Sequence, residues 1–423
     1  MNSYLLYLIV NAFAYILALI YFEKKYSFSN VGVLLYSIYT LSNVFAIFYY
    51  EIGIHYGVVD VVLYPEGLVY MYVCIAICLF PLMKSGTIKS IMLTNSQERM
   101  LRYLIWVFCL ISLLPFCENL LLLPKEKDAY ALHMAVADGD LRIYSPLANG
   151  LNNYCRFFRS FYPVLFFVLL QYKRIPKYYI YLISVPILNI ILGGYNSGTR
   201  GDIVCYSLMI IPLYLIMNGI YREVLKNKIK KAGILLISGM VVLFTLISIS
   251  RYNNGANTMN MNESLLLYIS EGPIRFSGEK WKKPLTTNGD VNLNYFKHLI
   301  GAKTFLGYRE REEYYVSKTG HRIEVFYTYV GDLLSDFGYI GTIIVCLILM
   351  FCWKKNYREK DMSIPSLVIM ANYIQFLGVG FASNVYRASS LQMGFFYTLI
   401  LCVLLHCVGK IGEYRLIYIS KNN

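Results

Sequence analysis

Asp332 and Asp336 stand four residues apart, a spacing that puts two carboxylates on one face of a helix. His321 and Arg322 precede them, and Arg200, Arg251 and Arg387 each stand at the end of a long apolar run. These residue types suit acid–base chemistry beside an anion. A carboxylate or an imidazole can take the proton of a hydroxyl nucleophile. A guanidinium presents a planar fork that matches phosphate or carboxylate. Asp336 and His321 are therefore the candidates for deprotonating or orienting an acceptor hydroxyl. Arg200 is the first candidate for holding an anionic leaving group, with Arg251, Arg387, Arg322 and Asp332 as further binding residues. Plainer roles stand beside these: an aspartate pair that anchors a loop through ion pairs, a surface histidine, and arginines that reach ordinary phospholipid headgroups.

Arg200 belongs to a tight turn, Asn196-Ser-Gly-Thr-Arg-Gly-Asp202. Gly198 and Gly201 permit close backbone approach, and Ser197 and Thr199 offer hydroxyls to a ligand. Asp202 falls where a new helix should begin, which also makes it an ordinary helix-start carboxylate. The turn lacks the lysine and spacing of a nucleotide-binding loop. Trp281, flanked by Lys280, Lys282 and Lys283, suits stacking on a sugar or a seat at the headgroup level. The run Arg309-Glu-Arg-Glu-Glu313 reads as a solvated helix face.

The elements that carry these residues are membrane spans. The 423-residue chain is 57% hydrophobic and only 15% charged, more apolar surface than a soluble exterior allows. Apolar runs near the ~20-residue length of a spanning helix recur throughout. They are continuous rather than alternating, so the expected class is an all-α polytopic membrane protein. Eleven spans are expected, near 3–22, 31–50, 67–83, 103–123, 161–172, 178–195, 203–220, 232–250, 337–353, 364–383 and 390–409. They form one transmembrane domain over 1–423, with long polar loops at 124–160 and 251–336. The first run lacks a basic leader and a cleavage site, and reads as a retained span. The ten cysteines follow no zinc or disulfide pattern and read as small packing residues. No metal site and no cofactor is expected.

Charge orders the loops. The loops after the odd-numbered spans hold 21 Lys and Arg, whereas the short loops of the other set hold two, Arg200 and Arg387. Short cytoplasmic loops are the basic ones. The N-terminus is therefore expected outside, the C-terminus cytoplasmic, and both long loops outward. The net charge of +14 is then a topology signal and not a nucleic-acid footprint, since no basic-aromatic module accompanies it.

The segment from Thr328 to Asp336-Phe-Gly-Tyr-Ile-Gly341, placed before a late span, resembles the oligosaccharide repeat-unit polymerases of the Wzy type. The turn Ser197-Gly-Thr-Arg-Gly201 is similar to their Ser-Gly-Ser-Arg-Gly turn, with Thr199 in place of the more usual serine. The resemblance implies a GT-C-like, metal-independent glycosyltransferase in the bacterial inner membrane. Its substrates would be polyprenyl-diphosphate-linked oligosaccharide repeat units, joined into an O-antigen or capsule-type polysaccharide. Its partners would be membrane lipids and the flippase and chain-length regulator of the same pathway. A lipid-to-acceptor glycan ligase and a lipid-linked oligosaccharide flippase are the alternatives.

Overall fold

The computed structural model describes residues 3–55, 62–122, 144–172, 174–197, 200–253, 261–282, 286–305, 307–319, 326–356, 361–410 and 414–418. Among these, eight helices are long and apolar enough to cross a membrane, and two shorter apolar helices accompany them. The chain is a helical multi-pass membrane protein, with one small sheet among the described residues. It divides into two compact units.

The first unit comprises residues 1–86, 259–358 and 375–393. It contains α1 (Ser3–Tyr26), α2 (Val31–His55), α3 (Pro65–Met83), α10 (Met261–Arg275), α11 (Asn294–Leu299), α12 (Tyr308–Thr319) and α13 (Thr328–Asn356). α2 packs against α1 and α10, and α3 against α13. α1 shows how composition becomes packing. Leu8, Ala12 and Tyr15 are buried on one face, while Val10, Phe13 and Leu17 are exposed on the others. Exposed apolar side chains on a spanning helix are what a hydrocarbon solvent requires.

The second unit comprises residues 87–258, 359–374 and 394–423. It contains α4 (Asn95–Leu122), α5 (Pro146–Phe157), α6 (Phe161–Gln171), α7 (Tyr178–Asn196), α8 (Arg200–Met217) and α9 (Glu223–Asn253). The last two helices, α14 (Ile364–Val379) and α15 (Ser389–Gly409), contribute residues to both units. The expected short fifth span is α6, at 11 residues. It does not extend into 154–160, because α5 ends at Phe157 and a separate turn follows.

The sheet is a correction to a purely helical expectation. β1 (Ser90–Thr94) pairs in parallel with β2 (Asp361–Ser363) and antiparallel with β3 (Tyr414–Tyr418). Its three strands come from the loops after the third, ninth and eleventh expected spans. Those loops share the basic set, so the sheet ties together segments that charge places on one side.

Other loops meet within their own sets too. Asn30 donates from Nδ2 to the carbonyls of Met83 and Ser85, at 3.1 and 2.9 Å, joining the loops after the first and third spans. Arg102 donates from Nη2 to the Arg174 carbonyl at 3.1 Å. In the opposite set, Ser277 Oγ accepts from Tyr64 N–H and donates to Tyr64 O, both at 2.8 Å. Arg156 pairs with Asp202.

Candidate functional site

The expected polar segment does not behave as a tether. Its described part folds onto the start of α13. Residues 328–356 form one helix with a break at Gly338, whose φ of +64° and ψ of −173° suit glycine and strain other residues. The ninth span therefore begins nine residues earlier than apolarity suggested, because its first turns are polar and apolarity marks only the part after Gly338. This helical start puts Asp332 and Asp336 on one face, as their spacing required.

Asp336 is buried and its carboxylate is surrounded by donors. Oδ1 accepts the Gly289 and Val291 amides at 3.1 and 3.2 Å and the Thr287 hydroxyl. Oδ2 accepts the Asn292 amide at 2.6 Å and its Nδ2 at 2.7 Å. Five donors on two oxygens fill the acceptor capacity of a carboxylate. Of the two roles open to Asp336, this geometry suits the anchor of the 287–292 turn better than a proton acceptor for substrate.

Asp332 holds a second turn. Its Oδ2 accepts the Asn384 amide at 2.6 Å. Asn384 Nδ2 donates to Asn292 Oδ1 at 2.5 Å, and Asn384 Oδ1 caps the 3-10 turn Val385–Arg387 by accepting from Tyr386 N–H. Arg311 completes the bracket. Its Nη1 donates to the carbonyls of Asp290 and Arg387, at 3.0 and 3.3 Å. The structure thus brings Asp332, Asp336 and the backbone of Arg387 together in the first unit. Arg311 is only 3% exposed, so the run 309–313 is not wholly a solvated face. The sequence signal for this was Tyr315, one helical turn on. It too is buried, and its hydroxyl donates to Asp290 Oδ2 at 2.6 Å. Burial, and then that hydrogen bond, push the Tyr315 phenol above its ordinary range.

A charged cluster that sequence spacing did not single out lies at the end of α10. Arg275 pairs with Glu271 and, at 2.9 Å, with Glu279, whose other oxygen accepts the Tyr327 hydroxyl at 2.7 Å. α10 continues through a π-helical turn, Phe276–Lys280, a form that often marks a functional position. Lys280 is buried, with Nζ 5.0 Å from the Tyr327 ring centre. Burial pulls its pKa below the ordinary lysine value, opposed by the charges of Asp332, Asp336 and other carboxylates. Beside it, Thr328 adopts a φ of +67° and its buried hydroxyl has no hydrogen-bond partner. Trp281 is packed against Gly67 and the Tyr339 ring, 4.6 Å between centres, which favours packing over sugar stacking.

Lys280 carries a stability prediction. Its folded-state pKa is depressed, so the unfolded chain binds more protons between the two values and stability rises with pH across that window. Below the folded value the cost of the buried ammonium is complete. Lys280→Met is expected to raise the melting temperature at pH 7, and the gain should shrink as pH climbs toward the ordinary lysine value. Melts in detergent at the two pH values check this, and a loss of stability at pH 7 would contradict it.

In the second unit, Ser197 Oγ bonds back to the Gly193 and Gly194 carbonyls of its own helix, at 2.8 and 3.2 Å. Asp202 lies in the first turn of α8, as expected, and is engaged by Arg156 of α5. That partner stands 46 residues earlier, in α5, and left no local signal. The end of α7, before that turn, is held by a buried amide network. Asn119 Nδ2 donates to Asn189 Oδ1 at 2.9 Å, and Asn119 Oδ1 accepts Tyr144 OH at 3.0 Å and Asn196 Nδ2 at 2.8 Å. Gly193 admits Tyr144, since a Cβ there would lie 2.8 Å from its hydroxyl.

Arg200 and Arg251 are helical residues of the second unit. Thr199, His321 and Arg322 lie outside the described residues. Comparison with protein-family models, with curated proteins and with solved structures finds no match to this chain.

Proposed function

We propose that this protein is a membrane glycosyltransferase that polymerises polyprenyl-diphosphate-linked oligosaccharide repeat units into a bacterial surface polysaccharide. In this reading eleven helices cross the inner membrane in a GT-C-like arrangement, with the N-terminus outside and the C-terminus cytoplasmic. α6, α9 and α14 complete the eight long spans. The observation that carries the reading is the ordered polar layer of the first unit. Asp332, Asp336 and Arg311 fix two turns of the outward set against the start of a spanning helix. A rigid polar layer at a bundle end suits presenting fixed charge to a headgroup, which a flexible tether would not. Transfer from a diphosphate carrier leaves negative charge on the departing lipid, and preset cations there favour the transition state over the ground state.

Deletion of the gene is expected to leave single repeat units on the lipid or its final acceptor, with no long chains. Loss of all outward-exposed units would point instead to a flippase. Long chains left unattached to their acceptor would point to a ligase. Arg200→Lys keeps the charge and loses the fork, and should shorten chains with a drop of roughly tenfold to hundredfold in polymer made. Undiminished chain length in that variant would remove Arg200 from diphosphate binding.

A further inference from the structure

In the sequence Lys280 stands out only as a neighbour of Trp281. The fold of the first unit gives it a setting of its own. It closes the π-helical turn Phe276–Lys280 that follows α10. That turn is fixed along its length. Ser277 bonds to the Tyr64 backbone in both directions at 2.8 Å, and Glu279 pairs with Arg275 at 2.9 Å. Directly after the turn, Trp281 packs against Gly67 and the Tyr70 ring, and its carbonyl accepts the Tyr339 hydroxyl. The backbone that carries Lys280 is therefore preset.

The side chain is 6% exposed, and its Nζ lies 5.0 Å from the centre of the Tyr327 ring. The polar end of that tyrosine is already taken, since its hydroxyl donates to Glu279 at 2.7 Å. No hydrogen bond and no ion pair to Lys280 is found among the described residues. An ammonium carries three donors, and burying it without acceptors is costly. What it lacks is acceptor oxygens at contact distance, not negative charge nearby. The charges of Asp332, Asp336, Glu279 and Glu312 all act on it. Three of these carboxylates are engaged by other donors: Asp336 by the 287–292 turn, Asp332 by the Asn384 amide, and Glu279 by Arg275 and Tyr327. A second anomaly stands next in the chain. Thr328 is 1% exposed, with a φ of +67° and a hydroxyl that has no partner. Its backbone is held there, because the Thr328 and Tyr329 amides donate to the Ala382 and Gly380 carbonyls, both at 2.8 Å. Departures of this kind from local rules gather at functional positions.

The surroundings select the ligand. A phosphate or carboxylate brought to Lys280 would meet the carboxylates that already act on it. A sugar brings hydroxyl and ring oxygens, which accept hydrogen bonds and add no charge. We propose that Lys280 is a substrate-binding residue that holds a sugar of the acceptor repeat unit, through hydrogen bonds from Nζ to its hydroxyl oxygens. This deepens the polymerase reading by assigning the acceptor glycan, and not the diphosphate, to the first unit, and it rests on that reading for the identity of the ligand.

The test returns wild type, Lys280→Met and Lys280→Gln to a strain from which the gene is deleted, and also melts each full-length protein in detergent. Two probes are added to the melts. One is the oligosaccharide freed by mild acid from the single lipid-linked units of the deletion strain, and the other is inorganic pyrophosphate. Methionine matches the unbranched length of lysine and carries no donor. Lys280→Met is therefore expected to melt no lower than wild type, yet to make roughly tenfold to hundredfold less polymer. Lys280→Gln keeps an N–H donor and should lie between. The oligosaccharide should raise the melting temperature of the wild type and not that of Lys280→Met, whereas any effect of pyrophosphate should be the same in both. Wild-type polymer yield in Lys280→Met, or a lower melting temperature of that variant, would overturn the proposal. So would an oligosaccharide without effect on the wild type, or a pyrophosphate effect that depends on Lys280. Long chains surviving gene deletion would end the polymerase reading itself, and the acceptor glycan with it. Chains lost on deletion but fully restored by Lys280→Met would end this assignment alone.

Discussion

Asp336→Ala is expected to lower stability by about 3–5 kcal/mol, the range for removing one partner of a buried charged cluster. The substitution strands the amides of Gly289, Val291 and Asn292, the Thr287 hydroxyl and Asn292 Nδ2, all of which converge on the lost carboxylate. Asn292 also links to Asp332 and Asn384, so the loss should spread to the turn that carries Arg387. Denaturant melts in micelles measure the total. Limited proteolysis within 286–305 reads the local part, and cleavage there should quicken before the rest of the chain opens. Asp336→Asn should fall between, since it keeps one acceptor oxygen and turns an NH2 toward donors. This pattern separates the two roles of Asp336. A proton acceptor for substrate would be lost with polymer synthesis alone, the melt and the cleavage pattern staying at wild-type values. That outcome would discard the anchor.

Spans were legible because a hydrocarbon solvent leaves a simple signature. Continuous apolar length marks a helix, and Lys and Arg mark the loops of one side. Hence the expected spans all fall on helices, and hydrogen-bonded loops such as those of Asn30 with Met83, or Ser277 with Tyr64, belong to the same charge set. Apolarity fails where a spanning helix starts in polar sequence, which is why the first turns of α13 fall in the expected loop. It fails again at the sheet, whose strands are three to five residues long and distant in sequence. The spacing of Asp332 and Asp336 correctly implied a shared face, but spacing says nothing of how many donors a carboxylate meets. Arg156 and Arg159 fall in the expected loop 124–160, and Arg311 in a run expected as a solvated helix face, with no local sign of their partners. The pairing of Arg156 with Asp202 and the burial of Arg159 and Arg311 are tertiary properties, set by residues from elsewhere in the chain.

Asn119→Leu tests whether the amide network of the second unit sets the position of the Arg200 turn. Leucine has the same number of side-chain heavy atoms in the same branching and no polar atoms, so the site stays filled and four side-chain hydrogen bonds are lost. Individual hydrogen bonds inside membranes contribute modestly, about 0.6 kcal/mol on average. Here, however, the Tyr144 hydroxyl and the Asn189 Oδ1 are left in a buried site, and stranded groups cost more than the bonds gave. The expected loss is about 2–4 kcal/mol, read by unfolding in mixed micelles. Tyr144→Phe should cost less alone, and little more on top of Asn119→Leu, because the two share one hydrogen bond. Gly193→Ala should reproduce part of the loss by pushing the Tyr144 hydroxyl off its site. Asn196, the last residue of α7, is held by Asn119 through both its side chain and its carbonyl. Under the polymerase reading, Asn119→Leu should therefore shorten glycan chains although Asn119 is fully buried and meets no substrate. A variant within ~0.5 kcal/mol of wild type, with full-length chains, would show that the turn is held by other means.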